Sequence, residues 1–252
     1  MKKIILAANW KMNNTPSESV KYVKTIKKSI KNANDRVIIF APYLSLERLL
    51  KLNVKGLSIG AQNMHFADKG TFTGEISGAM LKDIGVNYVL IGHSERRAMF
   101  GETDDIINKK LKTATENGFK VMLCIGETYE EKENNITTKV LKDQIKKALN
   151  GVRADSNNLI VAYEPVWAIS SGDPNKPKLT PTAKEIEKTH KIIKAELEKL
   201  GYSDIKVLYG GSANDKNCKE FSEIEGVDGF LIGGASLVKE KFEKMIELTN
   251  NK

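Results

Sequence analysis

Leu159-Ile160-Val161-Ala162-Tyr163 is a five-residue apolar run that ends in Glu164 and Pro165. A run this short, without polar alternation, reads as a strand covered on both faces. Pro165 fixes the chain direction just beyond it. Working outward, seven more such runs appear: Ile4–Ala8, Val37–Ala41, Leu57–Ala61, Tyr88–Gly92, Lys120–Ile125, Ile205–Tyr209 and Gly229–Ile232. Nearly every one ends in a polar or glycine-rich cluster. These are Asn9 and Lys11, Gln62 and Asn63, His93 to Glu95, Glu127, Gly210 to Ser212, and Gly233 to Ser236. Helical periodicity fills most of the gaps. Strand then helix, eight times over, predicts an α/β protein of the (β/α)8 barrel type, with chemistry gathered at the C-terminal ends of the strands.

The 252 residues suit one barrel domain spanning residues 1–252, and no composition break or low-complexity linker interrupts them. Two cysteines, Cys124 and Cys218, are too few for a disulfide framework, and their spacing suits no metal. Cys124 lies inside an apolar strand, so it is expected to be a buried, inert thiol. This usage fits a reducing, cytoplasmic compartment. The apolar run after Met1-Lys2-Lys3 meets Asn9 after five residues, too short for a signal-peptide core. Nowhere do the roughly 18 apolar residues of a membrane helix occur.

Formal net charge is +8, but of the 40 basic residues 35 are lysine and five arginine. Nucleic-acid sites favour arginine, often beside stacking aromatics. The lysines here fall on outward helix faces, as in Lys21, Lys24, Lys28 and Lys31, or Lys184, Lys188 and Lys191. No nucleic-acid or membrane partner is expected; a mild pull on anionic substrates is.

Several helix boundaries are legible. Thr15-Pro16-Ser17-Glu18 combines an N-cap, a proline at the first helical position and a capping-box glutamate. Thr180-Pro181 predicts another helix start, running to Leu200 and stopping at Gly201. Asn117-Gly118 ends the helix before the fifth strand. Two connections, Asn63 to Ser77 and Pro165 to Leu179, exceed the usual length and are expected to be functional.

Three strand ends carry groups suited to chemistry. After Glu164 comes Val166-Trp167-Ala168-Ile169, unusually apolar for a surface segment, as a lid that expels water would be. Glu164 is then either a general base under that lid or a strand-end ion-pair partner. His93 stands where a short helical turn begins, and backbone N–H groups there favour a neutral imidazole that donates to a carbonyl oxygen; a lone histidine is more often structural than catalytic. Lys11, next to Asn9 at a strand mouth, either neutralises a developing oxyanion or is one more surface lysine. Glu95 is placed to anchor a lysine; Arg96 and Arg97 are placed to reach a neighbouring subunit or an acidic loop. Gly210-Gly211-Ser212 and Gly233-Gly234-Ala235-Ser236 follow the seventh and eighth strands, where such barrels commonly hold a phosphate on backbone N–H groups. His65 and His190 lack metal-ligand spacing, so no metal site is expected.

Taken together, the chain resembles the triosephosphate isomerase family essentially from end to end. The resemblance rests on Asn9-Trp10-Lys11-Met12-Asn13, Gly60-Ala61-Gln62-Asn63, Phe72-Thr73-Gly74-Glu75-Ile76-Ser77 and Gly92-His93-Ser94-Glu95-Arg96-Arg97. Tyr163 to Ile169, Tyr209 to Ser212 and Ile232 to Ser236 continue it. It implies the TIM barrel fold and a cofactor-free isomerase of glycolysis and gluconeogenesis. In such an enzyme Glu164 removes a proton from carbon, and neutral His93 polarises the carbonyl and shuttles protons. Lys11 and Asn9 stabilise the enediolate, and Glu95 supports Lys11. Backbone N–H groups of Ser170, Ser212, Gly233 and Gly234 hold the phosphate. It also implies a homodimer in which Thr73, Gly74 and Glu75 insert beside the partner's active site, with Arg96 meeting Glu75 across the interface.

One stretch departs from the family pattern. Where the lid usually ends Gly-Thr-Gly-Lys, this chain has Ser170-Ser171-Gly172-Asp173, then Pro174 to Lys178, about four residues longer. A proline-stiffened surface loop that leaves the chemistry intact is expected there. Two other readings compete: a Schiff-base aldolase with Lys11 as nucleophile, and a non-catalytic phosphate-binding barrel. The second does not require Glu164, His93 and Lys11 together.

Overall fold

In a computed structural model, which describes residues 3–32, 36–169 and 179–250, eight parallel strands close into a barrel in sequence order. They are β1 (Ile5–Asn9), β2 (Arg36–Ala41), β3 (Leu57–Ala61), β4 (Tyr88–Ile91), β5 (Lys120–Ile125), β6 (Leu159–Tyr163), β7 (Lys206–Tyr209) and β8 (Gly229–Ile232). β8 closes on β1 through Ile5 opposite Gly229 and Ala8 opposite Ile232. Helices follow each strand: α1 (Pro16–Asn32), α2 (Tyr43–Leu50), α3 (Gly78–Asp83), α4 (Ser94–Met99), α5 (Asp104–Glu116), α6 (Tyr129–Glu133), α7 (Thr137–Leu149), α8 (Ala183–Lys199), α9 (Cys218–Glu223) and α10 (Lys239–Asn250). No helix among the described residues is long and apolar enough to cross a membrane.

The unbroken apolar runs have a physical cause. Ile5, Ala7, Ile38, Phe40, Leu90, Met122, Cys124, Ile160, Ala162, Leu208 and Leu231 form one buried cluster. Their strand neighbours Leu6, Ala8, Ile39, Val89, Val121, Val161 and Val207 belong to a second cluster shared with the helices. Alternate residues therefore fill the barrel and its outer layer, so neither set can be polar. Continuing the inner row past the strand ends reaches Asn9, Lys11, Gly126, Glu164, Gly210 and Gly233. His93 is out of step with Leu90. Gly92 adopts φ 77°, a left-handed conformation that breaks the alternation.

Two sequence expectations change. The capping box expected of Thr15 and Glu18 is present: the Thr15 N–H donates to Glu18 Oε2 at 2.8 Å, and the Glu18 N–H to Thr15 Oγ1 at 3.4 Å. α8, however, starts at Thr182 rather than at Thr180-Pro181. The Thr182 N–H donates to Glu185 Oε2 at 2.7 Å, and the Glu185 N–H to Thr182 Oγ1 at 3.3 Å. That reciprocal pair outweighs the proline signal. Lysine is also not confined to the surface: Lys110 is only 3% exposed, its ammonium held by Glu102 and by Asn63 Oδ1 at 2.8 Å.

Candidate active site

Lys11 lies just past β1 in a left-handed conformation, φ 51°. A non-glycine residue there stores about 1–3 kcal/mol of strain and persists only where its surroundings hold it. Asn9 Oδ1 accepts the Lys11 N–H at 3.0 Å, and Gln62 Nε2 donates to the Lys11 carbonyl at 2.9 Å. Lys11 Nζ pairs with Glu95 Oε1 at 2.6 Å. The strained backbone and the ion pair hold the ammonium at the barrel mouth, unlike the helix lysines.

His93 is the N-cap of α4, and its Nδ1 accepts the Glu95 N–H at 3.2 Å. An amide aimed at Nδ1 requires a lone pair there, so the backbone suits the neutral Nε2–H tautomer. Nε2 lies 3.1 Å from Glu164 Oε1, while Glu164 Oε2 accepts the Ser94 N–H at 3.2 Å. Both side chains are buried, His93 5% and Glu164 2% exposed. Burial alone opposes the imidazolium, but the Glu164 carboxylate outweighs it, and the His93 pKa moves up from its ordinary value. Burial likewise pushes the Glu164 carboxyl up, but His93, the Ser94 amide and Lys11 together bring it below the usual carboxylate range. With these contacts Glu164 is a weaker base than a buried carboxylate by itself, contrary to the expectation from a dry pocket alone. Its two oxygens are engaged there by His93 Nε2 and the Ser94 amide.

Room for Glu164 is made by glycines. A Cβ on Gly210 would stand 2.8 Å from Glu164 Cγ, and one on Gly126 would strike the Glu164 carbonyl. Arg97 braces the ends of β4 and β5, donating to the Gly92 carbonyl at 2.8 Å and the Cys124 carbonyl at 3.3 Å. It also pairs with Asp104 at 2.7 Å, the acidic segment expected for it. Cys124 is fully buried beneath the site, its thiol pushed well up by burial and by Glu164.

The two glycine-rich ends flank the same mouth. The Gly233 α-carbon faces Lys11: a Cβ built there would be 3.7 Å from Lys11 Cε. Gly234 opens a single 3-10 turn, Gly234–Leu237, and has open space where a side chain would be. The Ser212 carbonyl accepts from Asn214 Nδ2 at 3.1 Å and Asn217 Nδ2 at 2.9 Å, which fixes the loop after β7. Ser170 and the lengthened Ser170–Lys178 stretch lie outside the described residues. Among the described residues no group of three His, Cys, Asp or Glu side chains is arranged to hold a metal.

Gln62, Glu127 and Gly210, marked in the sequence only as strand-end residues without a role, join Gly126 in shaping this mouth. Glu127 is 1% exposed, and its carboxyl is pushed up by burial. It accepts from Tyr163 Oη at 3.1 Å and Trp167 Nε1 at 2.8 Å. Its position two residues past the end of β5 was its signal in the sequence.

Thr73, Gly74 and Glu75 are exposed in the long loop between β3 and α3. Arg96, expected at the interface, is engaged within its own chain by Glu102.

A closed (β/α)8 barrel with a carboxylate, an imidazole and an ammonium linked at its mouth beside two glycine-rich loops defines a barrel enzyme of acid–base chemistry. Comparison with known proteins narrows the class. A sequence model of triosephosphate isomerase matches residues 4–249. The chain is 41% identical over 251 residues to triosephosphate isomerase of Acetivibrio thermocellus, covering 97% of each chain. It is 42% identical over 244 residues to that of Aquifex aeolicus, covering 96% of this chain and 98% of the relative. It belongs to the triosephosphate isomerase family.

Proposed function

We propose that the chain interconverts dihydroxyacetone phosphate and D-glyceraldehyde 3-phosphate through an enediolate, with Glu164 as the base. The reading is carried by the contact path Lys11–Glu95–His93–Glu164, which links the ends of β1, β4 and β6. A substrate carbonyl taking the Nε2–H of His93 separates that ring from Glu164. The carboxylate then loses the contacts that lower its pKa, keeps the burial that raises it, and becomes a stronger base toward carbon. His93 donates to the carbonyl oxygen and moves protons between the two oxygens as a neutral imidazole, an effect this family itself illustrates. Lys11 and Asn9 stabilise the enediolate charge, and Glu95 holds Lys11 in place. Backbone N–H groups of Ser170, Ser212, Gly233 and Gly234 grip the phosphate. A positioned base contributes about 10²–10⁴ in rate and one oxyanion donor about 10²–10³, so the groups must act together.

A Schiff-base lysine must give up its proton to act as a nucleophile, whereas Lys11 donates to a carboxylate at 2.6 Å. The reading extends to a homodimer formed through Thr73, Gly74, Glu75 and Arg96, working in the cytoplasm without a cofactor. A coupled assay on dihydroxyacetone phosphate tests it. Glu164→Gln is expected to lower kcat by about 10²–10⁴ while leaving the affinity for a phosphate-bearing ligand largely intact. Near-wild-type turnover in that variant would remove Glu164 as the base.

A further inference from the structure

Tyr22 on α1 reaches two separate parts of the barrel mouth. Its ring meets Trp10 edge-on, with centroids 5.4 Å apart and planes at 82°, and Trp10 stands between Asn9 and Lys11. Its hydroxyl crosses to the turn after β8 and donates to the Ser236 carbonyl at 2.5 Å. Ser236 in turn closes back on Gly233. Its N–H and its hydroxyl donate to the Gly233 carbonyl at 2.9 and 2.7 Å. Ser236 is fully buried, whereas Gly234 is exposed at the rim. Burial, then the Glu243 and Glu240 carboxylates, push the Tyr22 hydroxyl well above the usual tyrosine range, so it keeps the proton it donates.

We propose that Tyr22 is a positioning residue: by anchoring the Ser236 carbonyl it fixes the turn whose Gly233 and Gly234 N–H groups grip the substrate phosphate. This rests on the isomerase reading. The Gly233 carbonyl and the Gly234 N–H belong to one planar trans peptide and point in opposite directions. Two bonds from Ser236 onto that carbonyl therefore aim the Gly234 N–H away from the turn. A carbonyl as deep as that of Ser236 cannot turn to water. Without the Tyr22 hydroxyl it is left unpaired, or the turn shifts to find it another donor. Either way the Gly233–Gly234 peptide loses its fixed direction, two bonds away from the missing hydroxyl.

The test uses Tyr22→Phe in the full chain, which keeps the ring on Trp10 and removes only the donor. KM for dihydroxyacetone phosphate is expected to rise about two- to tenfold, the worth of one hydrogen bond. Inorganic phosphate should weaken as a competitive inhibitor by the same factor. The Lys11 side of the mouth is untouched, so kcat is expected to stay within about twofold of wild type. Ser236→Ala removes one of the two bonds onto the Gly233 carbonyl and is expected to show the same split. Because both act through one turn, the double variant should raise KM by less than the product of the two single effects. An unchanged KM in Tyr22→Phe, a fall in kcat alone, or effects that simply multiply would overturn the brace. Should Tyr22→Phe not fold, Ser236→Ala decides, because the route to Gly234 passes through its side chain; there, too, an unchanged KM overturns the proposal. Absence of turnover in the wild type would instead fail the isomerase reading. Binding of inorganic phosphate, followed by NMR at the Gly233 and Gly234 amides, then judges the brace: weaker binding in Tyr22→Phe supports it, and equal or absent binding overturns it.

Discussion

At 3.1 Å from His93 Nε2, the Glu164 carboxylate changes what both groups do with a proton. His93 has its pKa raised above 6.5, so it adds stability that is complete below pH 6.5 and fades as pH rises through the folded value. Glu164 has its pKa lowered below 4.5, so it adds stability that is present above pH 4.5 and is lost as pH falls through the folded value. The pair therefore supports the fold most between these two limits. In Glu164→Gln the main influence raising His93 disappears. Burial and Lys11, both lowering, then face only Glu95. His93 is expected to titrate lower than in the wild type, measured from its imidazole carbon-bound proton by NMR. An unchanged or higher value would show that Glu164 does not control the ring. At this scale Glu164, His93 and Lys11 were legible because each ends a strand with a polar group after an apolar run. The left-handed Lys11 backbone, the Gln62 bond to its carbonyl and the space left by Gly126 and Gly210 were not legible. Each depends on an adjacent strand or loop that a linear reading does not bring near.

Elements are set by local patterns, and where two patterns compete the better-satisfied one wins. Eight strands were readable because both of their faces are covered, which suppresses polar alternation. α8 was misplaced by two residues. Thr180-Pro181 offers a proline start, but the Thr182-x-x-Glu185 box satisfies the exposed helix N–H groups on its own. Thr180 instead lies 3.4 Å from the Ser212 hydroxyl, tying this approach to the loop after β7. Thr182→Ala is therefore expected to lower stability by about 1 kcal/mol, and Thr180→Ala by less. Chemical denaturation of both variants at equal protein concentration measures the difference; an equal loss would mean that the cap is not at Thr182.

Across the whole molecule the exposed apolar side chains are not scattered evenly. Met12 at 96%, Leu44 at 82%, Met80 at 57%, Met99 at 73% and Phe100 at 65% exposure, with Phe72, all follow β1 to β4, four neighbouring strands. A single chain seldom leaves so much apolar surface on one sector, and in the proposed homodimer two-fold symmetry would cover the same patch on both partners at once. The root of the long loop is already rigid: the buried Lys110 ammonium joins Asn63 to Glu102, and Arg96 braces Glu102 from α4. His65 stacks on Phe66 and packs at a tilt against Phe72, at centroid distances of 4.2 and 4.1 Å, which stiffens the approach to the tip. In the proposed homodimer the loop would present Thr73, Gly74 and Glu75 without much ordering cost on assembly. The wild type is expected to scatter light as twice the 28.0 kDa of one chain, and Thr73→Arg combined with Glu75→Ala to shift it toward the single chain. The strained Lys11 backbone and the almost fully exposed Met12 beside it lie on this sector. Uncovering them frees the Lys11 ammonium from its set position, and kcat should fall by about 10²–10³, the cost of one charge-stabilising donor. A double variant that is monomeric yet fully active would show that Lys11 is held by its own chain alone, through Asn9, Gln62 and Glu95, and that the second copy serves only to cover the patch.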